Sequence, residues 1–180
     1  MKIKRKETIY NGFYTFRKLI VEENGEEFER EQFDSGSAAA AIVYDTSRDL
    51  YLFVQQYRYS AQMEMLEIVA GVVEKDDPEK TIRKEIKEEI GYAVDKLEHI
   101  WDFYTSPGAC TEKVYLYYAE VSQKQEEGGG LEEHHEHIKV KAFTFEELQK
   151  QKQFDAKTII AVQWLAARNN ATLENPEVTS

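Results

Sequence analysis

Between Gly71 and Tyr92 the chain reads Gly-Val-Val-Glu-Lys-Asp-Asp-Pro-Glu-Lys-Thr-Ile-Arg-Lys-Glu-Ile-Lys-Glu-Glu-Ile-Gly-Tyr, and three glutamates in it, Glu85, Glu88 and Glu89, are the residues best placed to do chemistry. At about 100° per residue on a helix, Ile82, Ile86 and Ile90 form one apolar line and the three glutamates fill an adjoining arc of roughly 100°. Like charges three and four residues apart repel by about 0.2–0.5 kcal/mol per pair, so an edge of three carboxylates calls for a compensating cation. Hard divalent cations take carboxylate oxygens, and Mg²⁺ characteristically binds a few carboxylates together with substrate phosphates and water. The competing reading is an ordinary charged face with Lys84 or Lys87 leaning over the acids.

Two further groups were weighed for chemistry. Glu132-Glu133-His134-His135-Glu136-His137 offers imidazole and carboxylate to Zn²⁺ or Ni²⁺. Consecutive residues after a glycine run lack the preset spacing of ligands on a helix face, so solvated histidines are the simpler account. Cys110, the one cysteine, has no activating base near it in sequence and reads as an inert packed residue.

The elements that must hold the glutamates follow from turn and cap signals. Asp77 is an N-cap aspartate followed by a first-turn proline, Pro78, and Gly91 can supply a left-handed C-cap, which predicts a helix ending at Ile90. Asn24-Gly25 between Phe13–Glu22 and Glu27–Phe33 predicts an amino-terminal hairpin. Ala38–Tyr44 and Leu50–Gln56 read as strands joined by a polar turn, the second of them interior to its sheet. An apolar stretch runs from Leu66 to Val73, and strands are expected over Ile100–Tyr104, Val114–Glu120 and Ile138–Phe143. A long loop, Ser122–His137, contains Gly128-Gly129-Gly130. Thr144 and Glu147 form a capping box for one helix, and Asp155 caps another over Ala156–Arg168.

A chain of 180 residues makes one main domain, and 42% hydrophobic against 32% charged residues excludes a disordered chain. The longest apolar runs, 38–44 and 50–54, are far shorter than the roughly 18–20 residues of a membrane span. Residues 1–12 lack the apolar stretch of a secretory signal, and a single cysteine fits a reducing compartment, so the cytoplasm is expected. A net charge of −11 opposes unaided binding of nucleic acid. A phosphate-bearing ligand stays possible where divalent cations bridge the two sets of negative charge.

The stretch resembles the signature of the Nudix hydrolase family: a glycine, five residues, an acid, then a basic-Glu pair, an aliphatic, any residue, Glu-Glu, any residue and Gly. Gly71, Asp77, Lys84, Glu85, Ile86, Lys87, Glu88, Glu89, Ile90 and Gly91 fill these places. Asp77 stands for the usual Glu and Lys84 for the usual Arg, and six residues instead of seven separate them. A lysine is a point donor, so whatever forked hydrogen bonding the arginine provides is weakened. The likeness extends along nearly the whole chain to the nucleoside diphosphate sugar branch, which includes ADP-ribose pyrophosphatases and GDP-mannose hydrolases. Its landmarks are Gln56-Tyr57-Arg58, Leu66-Glu67 leading to Ala70-Gly71, Ser106-Pro107-Gly108, Thr111-Glu112 and the loop ending in Glu136-His137-Ile138.

The resemblance implies an α/β fold, an α/β/α sandwich around a mixed sheet, spanning residues 37–180, with a β extension over 1–36 that serves a homodimer. It implies Mg²⁺, with Mn²⁺ as a substitute, held by the Ala70 carbonyl, Glu85, Glu89 and Glu136, with Glu88 completing or supporting the cluster. It implies hydrolysis of a nucleoside diphosphate sugar, GDP-mannose or ADP-ribose, with the base drawn from Glu136 and the helix glutamates, Glu136 being favoured. Arg58 would contact a substrate phosphate, Glu112 would hold the sugar-phosphate part, and Phe13 would stack on the base. Taken singly, Arg58 reads equally well as an ion-pair partner, Glu112 as merely exposed and Phe13 as a core aromatic. The alternatives are a nucleotide-sensing module that binds without cleaving, and a hydrolase of another nucleoside diphosphate derivative.

Overall fold

Residues 1–130 and 138–174 are described by the computed structural model, 171–174 in backbone only. They form two sheets and three helices. The first sheet is an antiparallel meander of β1 (Lys2–Asn11), β2 (Thr15–Glu23) and β3 (Glu26–Asp34). Asn24 and Gly25, at φ 53° and 86°, make the expected two-residue turn, with Glu23 opposite Glu26. Strand β1 was not foreseen. Its sequence is mostly charged and nearly every position is exposed, so it lacks the alternation that betrays a half-buried strand; on a sheet edge such charges discourage further pairing.

The second sheet contains β4 (Ala38–Asp45), β5 (Leu50–Arg58), β6 (Met63–Glu67), β7 (Val69–Val72), β8 (Lys96–Tyr104), β9 (Lys113–Val121) and β10 (Lys139–Phe143). Their order is β10-β5-β4-β9-β8, with β4 and β9 parallel and the other pairs antiparallel. As expected, β5 is interior. Strands β4 and β5 pair only over Val43–Asp45 and Leu50–Leu52, then part, and the gap is filled by the next stretch of chain, β6 pairing with β5 and β7 with β4. The apolar run 66–73 is thus two strands broken at Ile68. This wedge sets Ala70 and Gly71 opposite Ala40 and Ala39.

Helix α1 (Pro78–Glu85) continues as a π-helical turn, Ile86–Ile90, and covers one face of the sheet. Ile82, Ile86 and Ile90 are fully buried there against Ala39, Ala41, Val54 and Val69. Helices α2 (Phe145–Gln149) and α3 (Ala156–Glu174) cover the other face, where Leu148, Ala161, Val162 and Leu165 meet Ala40, Ile42 and Phe53. The alanines of β4 leave room for close packing on both sides. The expected α/β/α sandwich is therefore present. Among the described residues no helix is long and apolar enough to cross a membrane.

The two sheets are tied at one place. Phe33 donates its N–H to the Ala109 carbonyl (2.8 Å) and accepts from the Thr111 N–H (3.0 Å), while Asp34 accepts from the Thr111 hydroxyl (2.7 Å) and pairs with Arg17. The β8–β9 loop is the contact surface.

Candidate active site

The helix is started where the sequence requires it. Asp77 accepts the Lys80 N–H (3.0 Å), and the Thr81 hydroxyl donates to the Asp77 carbonyl (2.9 Å) while accepting the Glu74 N–H (3.1 Å). These bonds fold the 73–77 turn back so that α1 runs over β7. At the far end of α1 the Glu85 carboxyl comes to lie on Gly71, so closely that a Cβ at Gly71 would occupy the same space. A glycine is what lets backbone and carboxylate meet.

The helix ends as expected on Gly91, in the left-handed region at φ 81°, but its last turn is π and not α. A four-residue apolar repeat lies between the α period of about 3.6 and the wider π turn, so Ile82, Ile86 and Ile90 could not distinguish them. The consequence falls on the acids in that turn. Glu89 is only 5% exposed, whereas Glu88 stays partly accessible with the Lys84 ammonium 3.6 Å from it. Lys84 also reaches Glu74 (3.0 Å), and Lys87 turns away to Glu126 (3.0 Å). Of the two lysines weighed as screens, only Lys84 serves, and it serves Glu88.

The loop after β9 is stapled to the same turn. Gly129 donates its N–H to the Glu89 carbonyl (2.8 Å), Gly130 to that of Glu88 (3.3 Å), and Gln125 and Glu126 to that of Gly91 (2.7 and 3.1 Å). These amides satisfy carbonyls that a helix end otherwise leaves open. Ile138 returns to the Gly129 carbonyl (3.3 Å), which closes the base of the loop beside Glu88 and Glu89. Glu136, and with it the Glu132–His137 cluster, lies outside the described residues.

Below the wedge lies a charged group whose role sequence reading did not assign. Glu67 is 1% exposed and accepts two hydrogen bonds from Arg58, Nε to Oε1 at 2.6 Å and Nη2 to Oε2 at 2.8 Å. Lys157 of α3 pairs with the same carboxylate and with Asp155 (2.9 Å), and the Thr158 hydroxyl accepts the Ile68 N–H (2.9 Å). An acid inside the apolar run 66–73 was the available signal, because a buried charge must be paired. Lys157 gave no signal, being ninety residues away. Arg58 is held above its ordinary value first by its hydrogen bond to Glu67, against a loss from burial, and also by the charges of Glu67, Glu89 and Asp155.

Burial by itself would push the Glu67 carboxyl up; the hydrogen bond from Arg58 and the charges of Lys157 and Arg58 outweigh it and hold the group below its ordinary 4.5. The folded value therefore lies under the unfolded one. The stabilisation it brings is present above about pH 4.5 and is lost as the pH falls through the folded value. Melting temperatures followed from neutral pH downward should drop steeply in that acid range and more gently in Glu67→Gln. Parallel curves would clear Glu67 of responsibility.

The other expected residues sit on different elements. Ala70 is half-buried in β7 opposite Ala40. Glu112, in the β8–β9 loop, accepts from the Thr105 hydroxyl (2.7 Å). Phe13 is neither in a strand nor in the core; it stands in the β1–β2 turn, 87% exposed, edge-on to Tyr14 at 4.8 Å. What the chain gathers at one place is Gly71, Glu85, Glu88, Glu89 and the root of the glycine loop.

Among the described residues no three Asp, Glu, His or Cys side chains converge closely enough to hold an ion. The donors present nonetheless suit a hard divalent cation, since they are carboxylate oxygens, one cradled on a glycine and one buried. Such ions complete their shell with water and substrate phosphate, so a full protein cage is not required.

The model for the NUDIX domain matches residues 34–165. The chain is 36% identical over 151 residues to a GDP-mannose pyrophosphatase of Cronobacter sakazakii, covering 77% of this chain and 78% of the relative. It is also 36% identical over 132 residues to a methanol dehydrogenase activator of Bacillus methanolicus, covering 71% of each. A crystal structure of an ADP compounds hydrolase superimposes with a TM-score of 0.77 at 16% identity, over 95% of both chains, which supports the fold. With the glycine-cradled glutamate, the buried glutamate and a family match covering most of its length, the chain belongs to the Nudix family.

Proposed function

We propose that the protein hydrolyses the pyrophosphate bond of a nucleoside diphosphate sugar, GDP-mannose or ADP-ribose, to a nucleoside monophosphate and a sugar phosphate. The observation that carries this is the Glu85 carboxyl seated on Gly71 beside the buried Glu89, in a chain similar over three quarters of its length to a GDP-mannose pyrophosphatase. Divalent ions are general to this chemistry; Mg²⁺ is the ion proposed, with Mn²⁺ able to replace it.

The Ala70 carbonyl, Glu85, Glu89 and Glu136 would hold the metal, with Glu88 in support. Bound there, a divalent cation neutralises the diphosphate and makes water a better nucleophile. The chain's own residues supply the rest. Glu85 and Glu89 fix the position of the diphosphate through the helix that carries them. Arg58 presents its charge to a substrate phosphate. Glu136 takes a proton from the attacking water as the water oxygen bonds to phosphorus and the bridging P–O bond breaks. Glu112 holds the sugar-phosphate end.

Incubating the protein with Mg²⁺ and each of GDP-mannose and ADP-ribose, then resolving the products, should yield GMP or AMP. Chelation with EDTA should stop the reaction. Failure to cleave any nucleoside diphosphate derivative would leave the sensing module as the better account.

The first sheet, residues 1–36, is proposed as a dimerisation extension of the catalytic region 37–180. Ile3, Ile9, Tyr10, Phe13 and Tyr14 are all exposed on it, and a second copy of the chain would cover them and carry Phe13 to its partner's nucleotide. Light scattering should give twice the chain mass, and removing residues 1–34 should give a monomer; a monomeric intact chain would sink the idea. The net charge of −11 disfavours nucleic acid as a partner, and the single cysteine fits the cytoplasm.

A further inference from the structure

Arg58 has two acids within its field. One is Glu67, to which its Nε and Nη2 are bonded in a forked pair. The other is Glu89, in the π-helical turn against which β5 packs and whose negative charge reaches the guanidinium. A guanidinium left to choose would favour whichever carboxylate offers the fork. The fold makes that choice in advance: Glu67 is locked at the parting of β4 and β5, braced from behind by Lys157, which is itself held by Asp155 at the start of α3. Burying a carboxylate costs free energy unless it is paired, and a single arginine would pair it. A second cation from another element does more, because it fixes where Glu67 sits and hence where Arg58 is held.

We infer that Glu67, braced by Lys157, is a positioning residue that keeps Arg58 off Glu89, so that Glu89 stays available to a divalent cation while Arg58 still serves the substrate phosphate. This rests on the proposed roles of Glu89 and Arg58. In Glu67→Gln the amide carries no charge, Arg58 turns to Glu89, and metal and arginine then compete for one carboxylate.

The test is Mn²⁺ binding to the substrate-free protein, followed by the electron paramagnetic resonance signal of the free ion. Glu67→Gln should weaken Mn²⁺ binding by about tenfold or more, the range seen when an outer partner of a metal ligand is removed. Arg58→Gln should leave Mn²⁺ binding within about threefold of the intact protein while raising KM. The double variant Arg58→Gln/Glu67→Gln should recover Mn²⁺ binding to that same level, which a generally damaged fold would not do. Unchanged binding in Glu67→Gln, or a double variant no better than the single, would overturn the inference. Should Glu67→Gln not fold, Glu67→Asp, which withdraws the carboxylate by one methylene, should weaken Mn²⁺ in the same direction, and unchanged binding there would also overturn it. Loss of Mn²⁺ binding in Glu89→Gln alongside unchanged Glu67→Gln would fell only the positioning role. Unchanged binding in Glu89→Gln would fell the parent reading with it.

Discussion

Glu89→Gln should lower kcat for a nucleoside diphosphate sugar by about a thousandfold while leaving the metal-free protein as stable as before, or slightly more so. The asymmetry follows from where the residue lies. Glu89 is a buried acid in a turn that also carries Glu88, with Glu85 one turn back, and each like-charged pair at that spacing costs a few tenths of a kcal/mol. Glutamine has nearly the same shape, so the packing around Ile86 and Ile90 is undisturbed, and one repulsive charge is removed. What disappears is a negative oxygen able to hold a dication, and with it much of the charge stabilisation of the transition state. Steady-state kinetics with saturating Mg²⁺, set beside thermal melts in EDTA, checks both halves. A variant that keeps its rate, or that loses rate and stability together, would remove Glu89 from the catalytic set.

Much of this site could be read before any coordinates. Asp77-Pro78 and Gly91 mark the helix ends because capping is local chemistry, and the line of Ile82, Ile86 and Ile90 fixes which side is buried. The three glutamates then follow by angle alone. What could not be read is long-range or energetic in origin. The parting of β4 and β5 depends on pairing between distant segments, so the run 66–73 looked like one apolar stretch when it is two strands on different neighbours. The Lys157 partner of Glu67 is set by how α3 packs, and the π turn by how the helix end meets residues 125–130. Strand β1 was invisible because both its faces are wet, leaving no burial to impose a period.

Gly71→Ala separates a requirement of the site from a requirement of the fold. Gly71 is not among the glycines in the left-handed region, so an alanine backbone is tolerated there, and the new methyl would strike only the Glu85 carboxyl, the far end of a flexible side chain. The side chain can swing aside at little energetic cost, so stability should change by no more than about 1 kcal/mol. The carboxylate, however, leaves the place where it was cradled, and a displacement of the order of 1 Å in a positioning group costs about a hundredfold in rate. Gly128→Ala should do the reverse. Its methyl would meet the backbone of Glu89 and Ile90 at 2.7–2.8 Å with φ at +72°, and neither backbone can yield cheaply, so about 1–3 kcal/mol of stability should be lost. Measured together, kcat and unfolding midpoint should move independently in the first variant and jointly in the second, since forcing Gly128 away also shifts the turn that carries Glu88 and Glu89. If Gly71→Ala retained full activity, the Glu85 carboxyl would not need its seat on the glycine, and its assignment as a metal ligand would lose its structural basis.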